Sequence, residues 1–150
     1  MTRVRAVSAF CEDIREEKTG QDTIIGILPD NMVVPKFPAM VPKMAIYTRI
    51  QMDTNNPARP ISVTLKTPWN ENQSVGSADE KLIATAVAQA AANKLPIAGI
   101  VLKAVISPWL LQSAGVITVV IASGDQEYVS ATLNVLAEET LPPNADLPSA

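Results

Sequence analysis

At 150 residues the chain fits one domain, and an apolar fraction of 47% with only 4% aromatic residues calls for a core of Val, Ile, Leu, Ala and Met. A net charge of −3, with Lys and Arg scattered, offers no basic face to displace counterions, which argues against nucleic-acid binding. The absence of His and the presence of a lone Cys11 remove the commonest general base, the Ser-His and Cys-His nucleophile pairs, an internal disulfide and a Cys/His zinc site.

The first candidate strand, Arg3 to Phe10, places Val4, Ala6, Ser8 and Phe10 on one face and Arg5, Val7 and Ala9 on the other. A charged stretch from Glu12 to Lys18 follows, closed by Thr19-Gly20. Glu12 and Asp13 also interrupt the N-terminal stretch before it reaches the apolar length of a secretory signal, and no run approaches the roughly 20 apolar residues of a membrane span. The expected location is therefore cytoplasmic, or a virion if the chain is phage-encoded. Residues Thr23 to Leu28 read as a short apolar strand ending at the turn signal Pro29-Asp30-Asn31. Met32-Val33-Val34 reads as an edge strand, and Pro35, Pro38 and Pro42 make an extended connection.

The cleanest alternation comes next. Met44, Ile46, Thr48, Ile50 and Met52 oppose Ala45, Tyr47, Arg49 and Gln51, while Ile61, Val63, Leu65 and Thr67 oppose Ser62, Thr64 and Lys66. Residues 77–95 carry two signals. Ser77-Ala-Asp-Glu80 fits a capping box before an Ala-rich stretch, which favours a short helix over about 78–94, yet Ile83, Thr85 and Val87 also alternate as a strand would. After Pro96, Ile100, Leu102, Ala104 and Ile106 alternate with Val101, Lys103 and Val105. Two β-rich runs between Gly115 and Val135 flank Ser123-Gly124-Asp125-Gln126, the pattern of an antiparallel hairpin. In its second run Val129, Ala131, Leu133 and Val135 are expected on the buried face, and Tyr128, Ser130, Thr132 and Asn134 on the wet one.

Eight or nine closely spaced strands without strand–helix alternation predict a mostly β chain, an antiparallel β-sandwich, over residues 1–137. Residues 138–150 form a proline-rich tail without periodicity, containing Leu141 and Leu147.

No motif carries chemistry. Glu12, Asp13, Glu16 and Glu17 lack the alternate spacing and turning glycine of a calcium loop and read as a solvated turn paired with Arg15 and Lys18. Asp30-Asn31 and Asp53-Thr-Asn-Asn56 are ordinary turn residues, and would hold calcium only if the two loops met in space. Ser107 and Ser123 have no base in a recognisable motif, and Cys11 reads as a small residue at a strand end. The interaction candidates are Tyr47 and Tyr128 on faces expected to be wet, Trp69 and Trp109 after prolines, for which ordinary edge packing is the favoured reading, and Leu141 and Leu147 in the tail. No catalytic, cofactor or metal residue is expected.

The stretch Ala9-Phe-Cys-Glu-Asp-Ile-Arg-Glu-Glu-Lys-Thr-Gly20, followed by Ile24-Ile-Gly-Ile27, resembles the opening of a family of small bacterial proteins without assigned function. The closing pattern, Gly115, a strand, Gly124-Asp125 and a strand ending Leu133-Asn-Val135, is similar to the end of many immunoglobulin-like sandwiches. The resemblance implies an immunoglobulin-like fold and no catalytic residues, and it implies strand and loop over 79–94 where local signals favour a helix. The expected function is that of a non-enzymatic structural or interaction protein, a subunit or accessory component of a larger assembly such as a bacterial or phage particle. Its partners would be other protein chains, with a homo-oligomer favoured. The alternative is a binding module for a glycan or a calcium-linked surface.

Overall fold

Residues 4–138 are described by the computed structural model, so Leu141, Leu147 and the rest of the tail lie outside the described residues. The chain is mostly β. A four-stranded antiparallel sheet has the order β2 (Asp22–Ile27), β1 (Arg5–Glu16), β5 (Met44–Asp53), β8 (Ile97–Ile106). A five-stranded sheet has the order β3 (Asn31–Val34), β11 (Gln126–Ala137), β10 (Gly115–Ser123), β6 (Ile61–Lys66), β7 (Asn72–Ala78), with β3 parallel to β11 and the other pairs antiparallel. A two-stranded ribbon joins β4 (Ala39–Val41) to β9 (Trp109–Leu111). The strands β4, β7 and β9 were not anticipated from alternation, because they are short, polar or proline-flanked.

The alternation of the two cleanest strands corresponds to burial. Met44, Ile46, Ile50 and Met52 of β5 and Ile61, Val63 and Leu65 of β6 are at most 2% exposed. They share one core with Ile117, Val119 and Ile121 of β10 and Leu133 and Val135 of β11. The two large sheets touch at Ser8 of β1, whose hydroxyl lies 2.7 Å from that of Ser130 on β11, and where Gly76 of β7 lies against Leu102 of β8.

Between β7 and β8 the chain forms one helix, α1 (Glu80–Ala92), so the strand-and-loop expectation for 79–94 is corrected. The capping residue is Asp79, whose carboxylate accepts from the Leu82 N–H at 2.8 Å, and not Ser77, which belongs to β7. Ile83 and Ala90 face the core at helical spacing, with Ala86 and Val87 partly buried beside them. That spacing wins over the alternation of Ile83, Thr85 and Val87, because alanines on the remaining positions favour the helix and leave a strand little to bury.

The expected facing of β11 holds only in its second half. Val119 pairs with Ala131 and Val120 with Val129, which leaves Ser130 as an extra residue in the ladder. The bulge shifts the phase by one. Val129 is turned out and 51% exposed, while Tyr128, opposite the buried Ile121, turns towards the core.

Candidate functional site

The four interaction candidates that can be placed do not form a common surface. Trp109 of β9 is buried among the core residues, 5% exposed. The phase shift corrects the expected facing of Tyr128, which is half-buried, with its hydroxyl 3.4 Å from the Val4 carbonyl and its acidity weakened by burial. Trp69 is half-buried in the turn after β6 and donates its indole N–H to Glu71 at 3.0 Å. Tyr47 alone lies on an outward sheet face.

That face is built by register. Ser8 and Leu102 point towards the second sheet, so their neighbours Val7, Ala9 and Lys103 point away from it. Cross-strand pairing aligns Ala9 with Tyr47 and Lys103, Val7 with Arg49 and Val101, and Arg5 with Gln51. One half of the face is covered. Lys103 of β8 donates to Glu16 at 2.7 Å and to Asp22 at 2.8 Å, both at the end of the β1–β2 hairpin. Since β5 separates β8 from β1 in the sheet, this contact carries the hairpin end across the outward side of β5. Gly26, with φ of +64°, sits where any Cβ would strike the Glu12 side chain, which allows the two strands of the hairpin to close tightly. Cys11 and Ala45, paired on the outward face, are consequently fully buried.

The acidic stretch is thereby divided into ion pairs. Asp13 meets Lys43 at 2.6 Å, and Arg15 meets Glu17 at 2.8 Å. Hydrogen bonds from Lys43 and the Ile14 N–H hold the Asp13 carboxyl below its usual range, and those from Thr23 and Arg15 do the same for Glu17. The bonds to Asp22 and Glu16 raise the Lys103 ammonium. The expected partner Lys18 is replaced by Lys43 and Lys103, which are distant in sequence.

The other half of the face is open. Arg5, Val7, Ala9, Tyr47, Arg49 and Gln51 line a shallow groove of ≈ 330 Å³ above Ser8. Val7 is 70% exposed, the highest value among the large aliphatic side chains of the described residues. Arg5 and Arg49 stand on either side of it, and neither makes an ion pair among the described residues. Alternation alone had placed Arg5 and Val7 on one face of the first strand and Arg49 on the face of another that also carries Tyr47. What it lacked was the β1–β5 register that brings them together.

The Ser8 hydroxyl at the floor of the groove is engaged with Thr48 and Ser130, and no group of three or more His, Cys, Asp or Glu side chains with metal-ligand geometry occurs among the described residues. The two oxygen-rich loops do not meet. Asp30 and Asn31 bond Asn134 near the end of β11, whereas Asp53 ends β5 beside Ile97, at the opposite end where Val4 approaches Tyr128. No helix among the described residues is long and apolar enough to cross a membrane.

No curated protein and no solved structure is significantly similar to the chain. A family profile described as a family of unknown function, DUF6941, matches residues 6–136, which takes in both large sheets and the groove except for Arg5 at the start of β1 and Ala137 at the end of β11. The chain therefore belongs to the DUF6941 family.

Proposed function

We propose that the chain is a non-enzymatic interaction protein, an immunoglobulin-like β-sandwich that serves as a subunit or accessory component of a larger protein assembly. The observation that carries this reading is the open half of the four-stranded sheet. There an aliphatic side chain 70% exposed stands beside a tyrosine and two arginines in a groove whose lining includes no carboxylate. Aromatic and Arg enrichment around a small apolar centre is the composition of protein contact surfaces. A glycan reading would require a platform of exposed aromatics, and Tyr47 stands without Tyr128 or Trp109.

Light scattering after size-exclusion chromatography tests the reading on the full chain and on Val7→Asp. The full chain is expected to elute as a discrete oligomer of its 16.0 kDa unit, and Val7→Asp as a smaller species with an unchanged melting temperature. A wild-type monomer at every concentration would overturn self-assembly.

A further inference from the structure

The open groove holds positive charge without a counterpart. Arg5 pairs with Gln51 and Arg49 with Val7, so the two arginines are diagonal neighbours on one exposed face of β1 and β5. Neither meets a carboxylate among the described residues. Like charges at that spacing repel unless an anion covers them. The surface that covers the groove should therefore be acidic, and it must also bury Val7.

The chain carries an acidic surface on the same side of the same sheet. Residues 12–22, the end of the β1–β2 hairpin, hold five carboxylates against Arg15 and Lys18. Part of that charge is left over. Glu12 is exposed and makes no ion pair among the described residues, and Glu16 keeps 76% of its side chain exposed although Lys103 holds one of its oxygens. Lys103 also ties the hairpin end down beside the groove, so it does not fill the groove of its own copy.

Symmetry selects the occupant. Two grooves set directly against each other would gather four guanidiniums, which like-charge repulsion disfavours. The groove lies at the Arg5 end of β1 and the acidic hairpin end at its Glu16 end, both on the outward side. A two-fold axis running across the strands between two such sides exchanges these ends, so acidic meets basic twice and the raised half of each copy enters the recessed half of the other. That contact is isologous and closes as a dimer, whereas an acidic patch elsewhere on the molecule would join copies head to tail. We infer that the chain forms a two-fold dimer through the outward side of its four-stranded sheet, the Glu12–Glu16 end of each hairpin seated over Arg5 and Arg49 of the other copy. Ile27, paired with Cys11 on this side and 64% exposed, adds apolar area for the contact to cover. The inference rests on the assembly reading and names the contact that makes it.

The test is a charge-reversal exchange on the full chain, followed by light scattering over a concentration series. The full chain is expected to be a dimer that weakens with added salt. Arg49→Glu, Glu12→Arg and Glu16→Arg each place like charges at both contacts of their own dimer. The Arg49→Glu dimer and that of at least one hairpin variant should weaken about tenfold, with an unchanged far-ultraviolet circular dichroism spectrum. An equimolar mixture of Arg49→Glu with that hairpin variant should recover the dimer, because a mixed pair has opposite charges at both contacts. If the full chain is an oligomer that none of these variants weakens, the inference falls while the assembly reading stands. If Arg49→Glu weakens it and neither mixture recovers, another part of the partner fills the groove and the inference falls. If the full chain is a monomer at every concentration, both fall.

Discussion

Ser8 joins the two sheets through hydroxyls: its Oγ is 2.8 Å from Thr48 Oγ1 on the neighbouring strand and 2.7 Å from Ser130 Oγ on the other sheet. Thr48 is fully buried, whereas Ser130 also bonds the Val119 carbonyl at 3.2 Å. Removing the central hydroxyl thus strands Thr48 in an apolar interior. Ser8→Ala is expected to cost about 2 kcal/mol in urea denaturation, and adding Thr48→Val should recover much of it, because the orphaned hydroxyl goes too. A larger loss in the double variant would contradict this account. Lys94 presents the reverse case. Its φ of +56° places it in the left-handed region at the end of α1, where its N–H bonds the Ala91 carbonyl and that of Leu95 bonds Ala90, a helix-ending motif that usually employs glycine. Lys94→Gly should raise stability by about 0.5–1 kcal/mol, read as an upward shift in thermal midpoint, since it relieves the Cβ clash at an exposed site.

Among the elements, the β1–β2 hairpin is the one held down mainly by charge. Asp13 and Glu17 have folded-state pKa values below their unfolded ones, so their contribution is present above the unfolded values and is lost as pH falls through the folded ones. Lys103 is raised, so its own contribution is present below its unfolded value and is lost as pH rises through the folded one. Acid should therefore loosen the hairpin before the core. In an NMR titration from pH 7 downwards, the Ile14 amide, which bonds Asp13 at 2.9 Å, is expected to move with a midpoint below 3.8, the ordinary value of a free aspartate. A midpoint at or above that value would show that the Lys43 contact does not hold in solution. The hairpin also shows why its sequence misled. Four acids among two bases read as a solvated turn, and the lysines that organise them lie far along the chain.

For the molecule as a whole, Cys11 reports on cooperativity. It is fully buried beneath the crossed hairpin, its Sγ 3.5 Å from the Ala45 carbonyl, with burial first and Asp13 second raising its pKa. Alkylation of the native protein should proceed only through opening, accelerating with urea in step with global or hairpin unfolding. Labelling at the rate of a free thiol would mean the hairpin does not cover the face. Much of this architecture was legible in advance. The faces of β5, β6 and β8 were readable, and so was the β10–β11 turn, where Gly124 at φ of +58° supplies the conformation that such a hairpin demands. The facing of Tyr128 was not legible, because a single extra residue at Ser130 reverses every side chain before it. The groove escaped notice for a related reason: Arg5 and Val7 lie more than forty residues from Arg49, and only pairing brings them together. By itself, then, the sequence determined which segments extend and which of their faces are apolar, since alternation follows from the geometry of one strand. Register, the bulge and the hairpin's passage across β5 were decided only in the tertiary structure, because each depends on which distant segment lies alongside and on how the combined surface is best buried.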